Sequence, residues 1–113
     1  MGWDISLVDD ANNPVQVAPH TEGSIIAVGG TTEADIRVTF NYHECYRLVG
    51  FEMRDMDGKS GLETAPLLEA AVAKLGTKRF DNYWAPTLGN AGHALNVLLG
   101  WAKQHPAAKW RIS

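Results

Sequence analysis

The chain has 113 residues, 45% of them apolar, with a formal net charge of −3 and a single cysteine. That length suits one domain over residues 1–113 and is short for two, and the apolar content is too high for a disordered chain. No apolar run approaches the roughly 20 residues that span a bilayer, the net negative charge speaks against nucleic-acid binding by general electrostatics, and one cysteine excludes an internal disulfide.

The start, MGWDISLVDD, is acidic and alternating, without the basic and apolar regions of a signal peptide. With Cys45 alone, this leads to the expectation of a cytoplasmic protein in a reducing compartment. Trp3, Ile5 and Leu7 alternate with Asp4 and Ser6, which predicts a strand over residues 3–8 with one buried face. Asp9 to Pro14 is turn chemistry, and a short second strand follows at Val15–Ala18, stopped by Pro19. Ser24–Val28, a β-branched run, predicts a third strand, and polar residues from Gly29 to Asp35 make the next connection. Residues 36–42 alternate again, with Ile36, Val38, Phe40 and Tyr42 facing one way, so the first third is expected to be an antiparallel meander.

His43 to Asp57 fits either a short helix, with Cys45, Leu48 and Val49 inward, or a strand broken at Gly50. The helix of about two turns is the reading taken. Ser60 and Glu63 match a capping box, which would place Pro66 beyond the first turn; a start at Glu63 or Thr64 would bring it near the favoured early positions. In either case Leu67, Leu68, Ala71, Val72 and Leu75 make one stripe at helical spacing, and Gly76 ends the helix. The next long helix starts near Thr87–Gly89 and runs to about Gln104, with Ala91, Ala94, Leu95, Leu98, Leu99 and Ala102 as its core stripe and Pro106 beyond its end. Trp110 and Ile112 alternate with Lys109 and Arg111 as a closing strand. The sum is an α+β fold: an antiparallel N-terminal meander plus a C-terminal strand, packed on one face by two main helices.

The segments GGTTEADIRVTFNY, PLLEAAVAKLGT and NYWAPTLGNAGHALNVLLGWAKQHP, with the start GWDISLVD, are similar to a group of small, functionally uncharacterised proteins of bacterial genomes, phages and other mobile elements. The similarity covers most of the chain from Gly29 onward, with 43–57 the least similar part. It implies a compact accessory protein of phage or mobile-element type and carries no reaction or catalytic residue with it.

Among candidate sites, the turn Thr87-Leu88-Gly89-Asn90 opens a helix whose free N–H groups and dipole suit a phosphate or carboxylate. Gly89 and Gly92 would let a ligand approach the backbone, Tyr83 and Trp84 could stack on its ring, and His93 lies one turn further in. The competing reading is structural: Thr87 or Asn90 caps the helix, Gly92 allows close packing, and His93 belongs to a flank with Val97 and Trp101. The pattern is neither a Walker loop nor a dinucleotide fingerprint. His43-x-Cys45 supplies two metal ligands if on a strand, too few for a site, so no metal and no cofactor is expected. Asp9-Asp10 and Asp55 with Asp57 lie in turns, where acids usually shape the backbone, and no catalytic residue is assigned.

The ten aromatic residues offer either bulk for a small core or anchors for a protein partner. Charge is unevenly spread, with no Lys or Arg before Arg37 and no Asp or Glu after Asp81. Either the two chain ends lie side by side and attract, or the C-terminal part favours an anionic ligand while the acidic N-terminal part mimics or engages something basic. The function expected is therefore that of a non-enzymatic binding protein acting on a host protein or associating with itself, and the runner-up is a small-anion or nucleotide binder.

Overall fold

The computed structural model describes residues 2–20, 30–82 and 85–113. The strand expected over Ser24–Val28 lies outside these. The first strand, β1 (Gly2–Val8), forms where alternation predicts it. It is the central strand of a three-stranded sheet, paired antiparallel with β4 (Asp35–Thr39) on one side and β5 (Lys109–Ile112) on the other. Trp3 and Ile5 stand opposite Val38 and Ile36, and Ile5 and Leu7 opposite Ile112 and Trp110. These side chains are buried in one core with the long helices, whereas Asp4, Arg37, Lys109 and Arg111 on the other face are exposed. The period of two thus sorts a polar face from an apolar one.

The chain ends lie side by side, because Asp4 and Ser113 exchange both backbone hydrogen bonds at 2.9 Å. Asp4 itself pairs with Arg37 at 3.1 Å. The far edge of β5 is also covered: Trp110 exchanges backbone bonds with Gly58 and Lys59, and the Asp57 carboxylate accepts from the Ile112 N–H at 2.8 Å. That leaves β5 with no open edge for another chain to extend.

The pairing is not sequential as in a simple meander. A second, two-stranded sheet joins β2 (Gln16–His20) to β3 (Thr31–Glu33). Pro19 therefore lies within β2 instead of stopping it. A short ribbon with an irregular register tolerates a residue that cannot donate. Segment 31–35, expected to be a connection, contains β3, while the strand expected to reach Tyr42 ends at Thr39. There the Thr39 hydroxyl accepts from the Asn41 N–H and starts a 3-10 turn, Phe40–Tyr42.

That turn runs into α1 (His43–Leu48), which confirms a short helix in the ambiguous segment. Its inward set differs from expectation. Cys45 and Tyr46 are buried, Val49 is half-buried, and Leu48 is 77% exposed. Tyr46 packs against Trp3 and Phe51 with ring centroids 5.7 and 5.5 Å apart, and Trp3 meets Phe40 edge to face at 4.9 Å. Aromatic bulk therefore serves mainly as core among the described residues: Trp3, Tyr42, Tyr46, Phe51, Trp101 and Trp110 are all buried.

Helix α2 (Gly61–Leu75) begins with the full capping box, Ser60 Oγ accepting from the Glu63 N–H and Glu63 accepting from the Ser60 N–H. The Ser60 N–H holds the Glu63 carboxyl below its ordinary range. Its contribution is thus present at neutral pH and lost as pH falls through that lowered value. Pro66 sits inside the helix, so the Leu62 carbonyl lacks its usual donor, on a turn where Leu62 is 70% exposed. The buried residues are Gly61, Thr64, Leu68, Ala71 and Leu75: of the expected stripe Leu68, Ala71 and Leu75 turn in, Val72 is half-buried and Leu67 faces out.

Helix α3 (Leu88–Gln104) packs along α2 and buries every residue of its predicted stripe, together with Asn90, Gly92 and Trp101. Thr64 ties α2 to β5: its buried hydroxyl accepts from Trp110 Nε1–H at 2.6 Å and donates to the Ser60 carbonyl at 2.9 Å. Thr64→Val keeps the shape but leaves the indole N–H unpaired. It is expected to lower stability by about 1–3 kcal/mol, read from the midpoint of a urea titration.

Candidate functional site

The start of α3 is the first place to test. Thr87 is the N-cap, its hydroxyl accepting from the Asn90 N–H at 3.1 Å. The chain leaving α2 comes directly beneath. Gly76 takes a positive φ of 76° after the last turn of α2, and residues 76–78 then cross against the first turns of α3. A Cβ on Gly92 would overlap the Gly76 carbonyl oxygen, and one on Gly89 would overlap that of Lys78. Both glycines thus give their open faces to the chain's own backbone. The space beside each glycine is filled by a carbonyl oxygen of the chain and not left open for a ligand.

Asn90 is 3% exposed and uses its whole amide. Its Oδ1 accepts from the Phe80 N–H at 2.7 Å, and its Nδ2 donates to the Asn82 and Ala85 carbonyls at 3.0 and 3.1 Å. The amide holds both sides of the connecting loop against the helix. From α1, the Tyr46 hydroxyl donates to the Ala91 carbonyl at 3.1 Å and the Cys45 thiol donates to the Pro86 carbonyl at 3.4 Å. The first turns of α3 therefore form a joint where four segments meet. His93 is half-buried on the next turn and has interactions of its own. Tyr83 and Trp84 lie outside the described residues. Of the predicted site residues, Thr87, Gly89, Asn90 and Gly92 come together, and the contacts they make are with the chain itself.

The remaining candidates separate. His43 and Cys45 lie two residues apart on a helix, not a strand, so they point to different sides: His43 is exposed and Cys45 buried. Burial pushes the Cys45 thiol above its ordinary range, with a smaller push from Glu44, and a protonated thiol is a poor nucleophile. Among the described residues no three His, Cys, Asp or Glu side chains are placed to hold a metal ion. Asp9 accepts from the Ala11 and Asn13 N–H groups and shapes its turn, whereas Asp57 accepts from that of Ile112 and covers the edge of β5. Among the described residues no helix is long and apolar enough to cross a membrane.

The sequence reading missed the outward face of α2. Leu62, Pro66, Leu67, Ala70 and Ala73 are all exposed there, with Leu67 at 46%. Leu62, Pro66, Ala70 and Ala73 fall on the side opposite the buried stripe, where charged residues normally stand. Beside them a cleft of about 230 Å³ opens between α2 and the segment after α1. It is lined by Val49, Phe51, Pro66, Leu67 and Ala70, with Glu52 and Asp55 on its wall. The signal was present in the composition of α2, which has more apolar residues than one core stripe can use. Comparison of the chain with protein-family models, curated proteins and solved structures finds no match.

Proposed function

We propose that this is a non-enzymatic binding protein of phage or mobile-element type. It works in the cytoplasm and engages a host protein through the outward face of α2 and the adjoining cleft. The observation that carries this reading is the apolar character of that face. Leu62 and Leu67 are 70% and 46% exposed and flank Pro66 and Ala70, and apolar residues held in water on a rigid helix favour a partner that covers them. The cleft beside Leu67 is large enough for one apolar side chain of that partner, and Glu52 and Asp55 favour a basic neighbour next to it. The phage and host assignment rests on the resemblance described above, and the compartment on Cys45 being the single cysteine of the sequence.

The test compares pull-downs from host lysate by the protein and by its Leu62→Asp/Leu67→Asp variant. Both positions are exposed, so the variant is expected to keep its fold by circular dichroism. The reading predicts a specific host protein recovered by the first and lost by the second. Identical recoveries would contradict it. The geometry gives no separate support to an anion or nucleotide at the start of α3.

A further inference from the structure

Steps of four, three and four residues return to one side of a helix, so Glu63, Leu67, Ala70 and Lys74 form a single row along the exposed side of α2. The row has an acid at one end and a base at the other, with a large residue and a small one between them. Reversed, it complements itself: Glu63 falls opposite Lys74 and Leu67 opposite Ala70, and each pairing occurs twice. Such self-complementarity is what a two-fold contact requires. The adjoining residues Leu62, Pro66 and Ala73 are apolar and widen the contact, and Ala70 and Ala73 are small enough for a second helix to lie close. Lys74 makes no ion pair among the described residues. Glu63 uses Oε1 in its capping box, which leaves Oε2 for a partner.

We infer that the free protein pairs with a second copy of itself through an antiparallel α2–α2 contact, Glu63 of each copy meeting Lys74 of the other. This rests on the α2 surface proposed above and goes beyond it: self-pairing and capture of the host protein compete for one face. One helix face is much smaller than the roughly 800 Å² per partner of a standard interface. The pair is therefore in exchange with monomer and weakened by salt.

Sedimentation equilibrium over rising concentration tests this on the full chain. The protein is expected to move from monomer to dimer. Lys74→Glu sets like charges opposite each other at both ends, and the expected weakening is about tenfold or more. Glu63→Lys does the same and also loses the capping box, so thermal unfolding accompanies it. The double variant E63K/K74E, and an equal mixture of the two single variants, are expected to regain the dimer. A third variant, Ala70→Arg, keeps Glu63, Lys74 and the cap in place and is expected to block the contact by its bulk. Monomer at every concentration up to about 1 mM, the weak end of specific association, would overturn the inference. So would a dimer indifferent to K74E and A70R. If the dimer is absent while L62D/L67D still loses a host protein, only self-pairing fails; if the dimer stands and no host protein is recovered, only the host-binding reading fails.

Discussion

Gly92→Ala is expected to lower stability by about 3 kcal/mol, and the midpoint of thermal unfolding by roughly 10 °C. In an isolated helix the same change would help, since alanine is favoured over glycine by about 1 kcal/mol. The sign reverses because the added Cβ has nowhere to go. It would overlap the Gly76 carbonyl oxygen and stand 3.0 Å from the Leu75 Cβ. The obstacle is backbone held by the C-cap of α2, where the Gly76 N–H donates to the Val72 carbonyl at 2.8 Å, so it cannot yield as the tip of a side chain would. Gly89→Ala meets the Lys78 carbonyl in the same way. Gly100, in the same helix, provides the control. Nothing among the described residues lies within 4 Å of a Cβ built there, so Gly100→Ala is expected to stabilise by about 0.5–1 kcal/mol. A pair of glycines in one helix responding with opposite signs would tie the effect to the crossing of 76–78. Equal responses would refute it.

Asn90 is expected to be the most sensitive polar position. Asn90→Leu nearly keeps the volume but strips the Phe80 N–H and the Asn82 and Ala85 carbonyls of their shared partner. An expected loss of about 2–4 kcal/mol follows from losing three hydrogen bonds worth about 1 kcal/mol each. Asn90→Asp is more informative. One carboxylate oxygen can still accept from Phe80, but the other would face two carbonyl oxygens within hydrogen-bond distance, inside a site 3% exposed. Burial and those carbonyls favour the protonated form, so the folded-state pKa of the new carboxyl rises above its unfolded value. The N90D variant is then least stable at neutral pH and recovers part of its loss as pH falls toward about 4, the ordinary carboxyl range. Urea titrations across that range check the sign. A deficit that is constant with pH would mean that the new carboxyl is not held against those carbonyls.

Why the α+β class was readable and the site was not is visible in particular residues. Ile5 and Leu7, Trp110 and Ile112, and the α3 stripe from Ala91 to Ala102 bury the sides that their periodicity predicts, because one face of each element has a single apolar layer to meet. The pairing of β1 with β4 and β5 depends on contacts far apart in sequence, and no local pattern encodes it. In α2, Leu67 and Leu68 are both apolar, and only the position of α3 decides that Leu68 turns in and Leu67 out. At the start of α3, the string Gly89-Asn90-Ala91-Gly92 reads equally as a cradle for a ligand or as room for backbone. The difference lies in where residues 76–78 pass, which is a property of how α2 ends and not of the string. Pro66 likewise marked a boundary by propensity, but the Ser60–Glu63 box starts the helix ahead of it.

The first turns of α3 are the joint that fastens the connection from α2, and we propose that the outward face of α2 is the surface for partners. Amide hydrogen exchange at Phe80 tests the first half most directly. Phe80 is 59% exposed and lies in no helix or strand, so an unattached amide there would exchange near the rate of an open chain. Donation to Asn90 at 2.7 Å predicts strong protection, lost in Asn90→Leu while amides in the middle of α3 keep theirs. Exchange at Phe80 as fast in the unaltered protein as in the variant would contradict the joint, and with it the assignment of Gly89, Asn90 and Gly92 to structure.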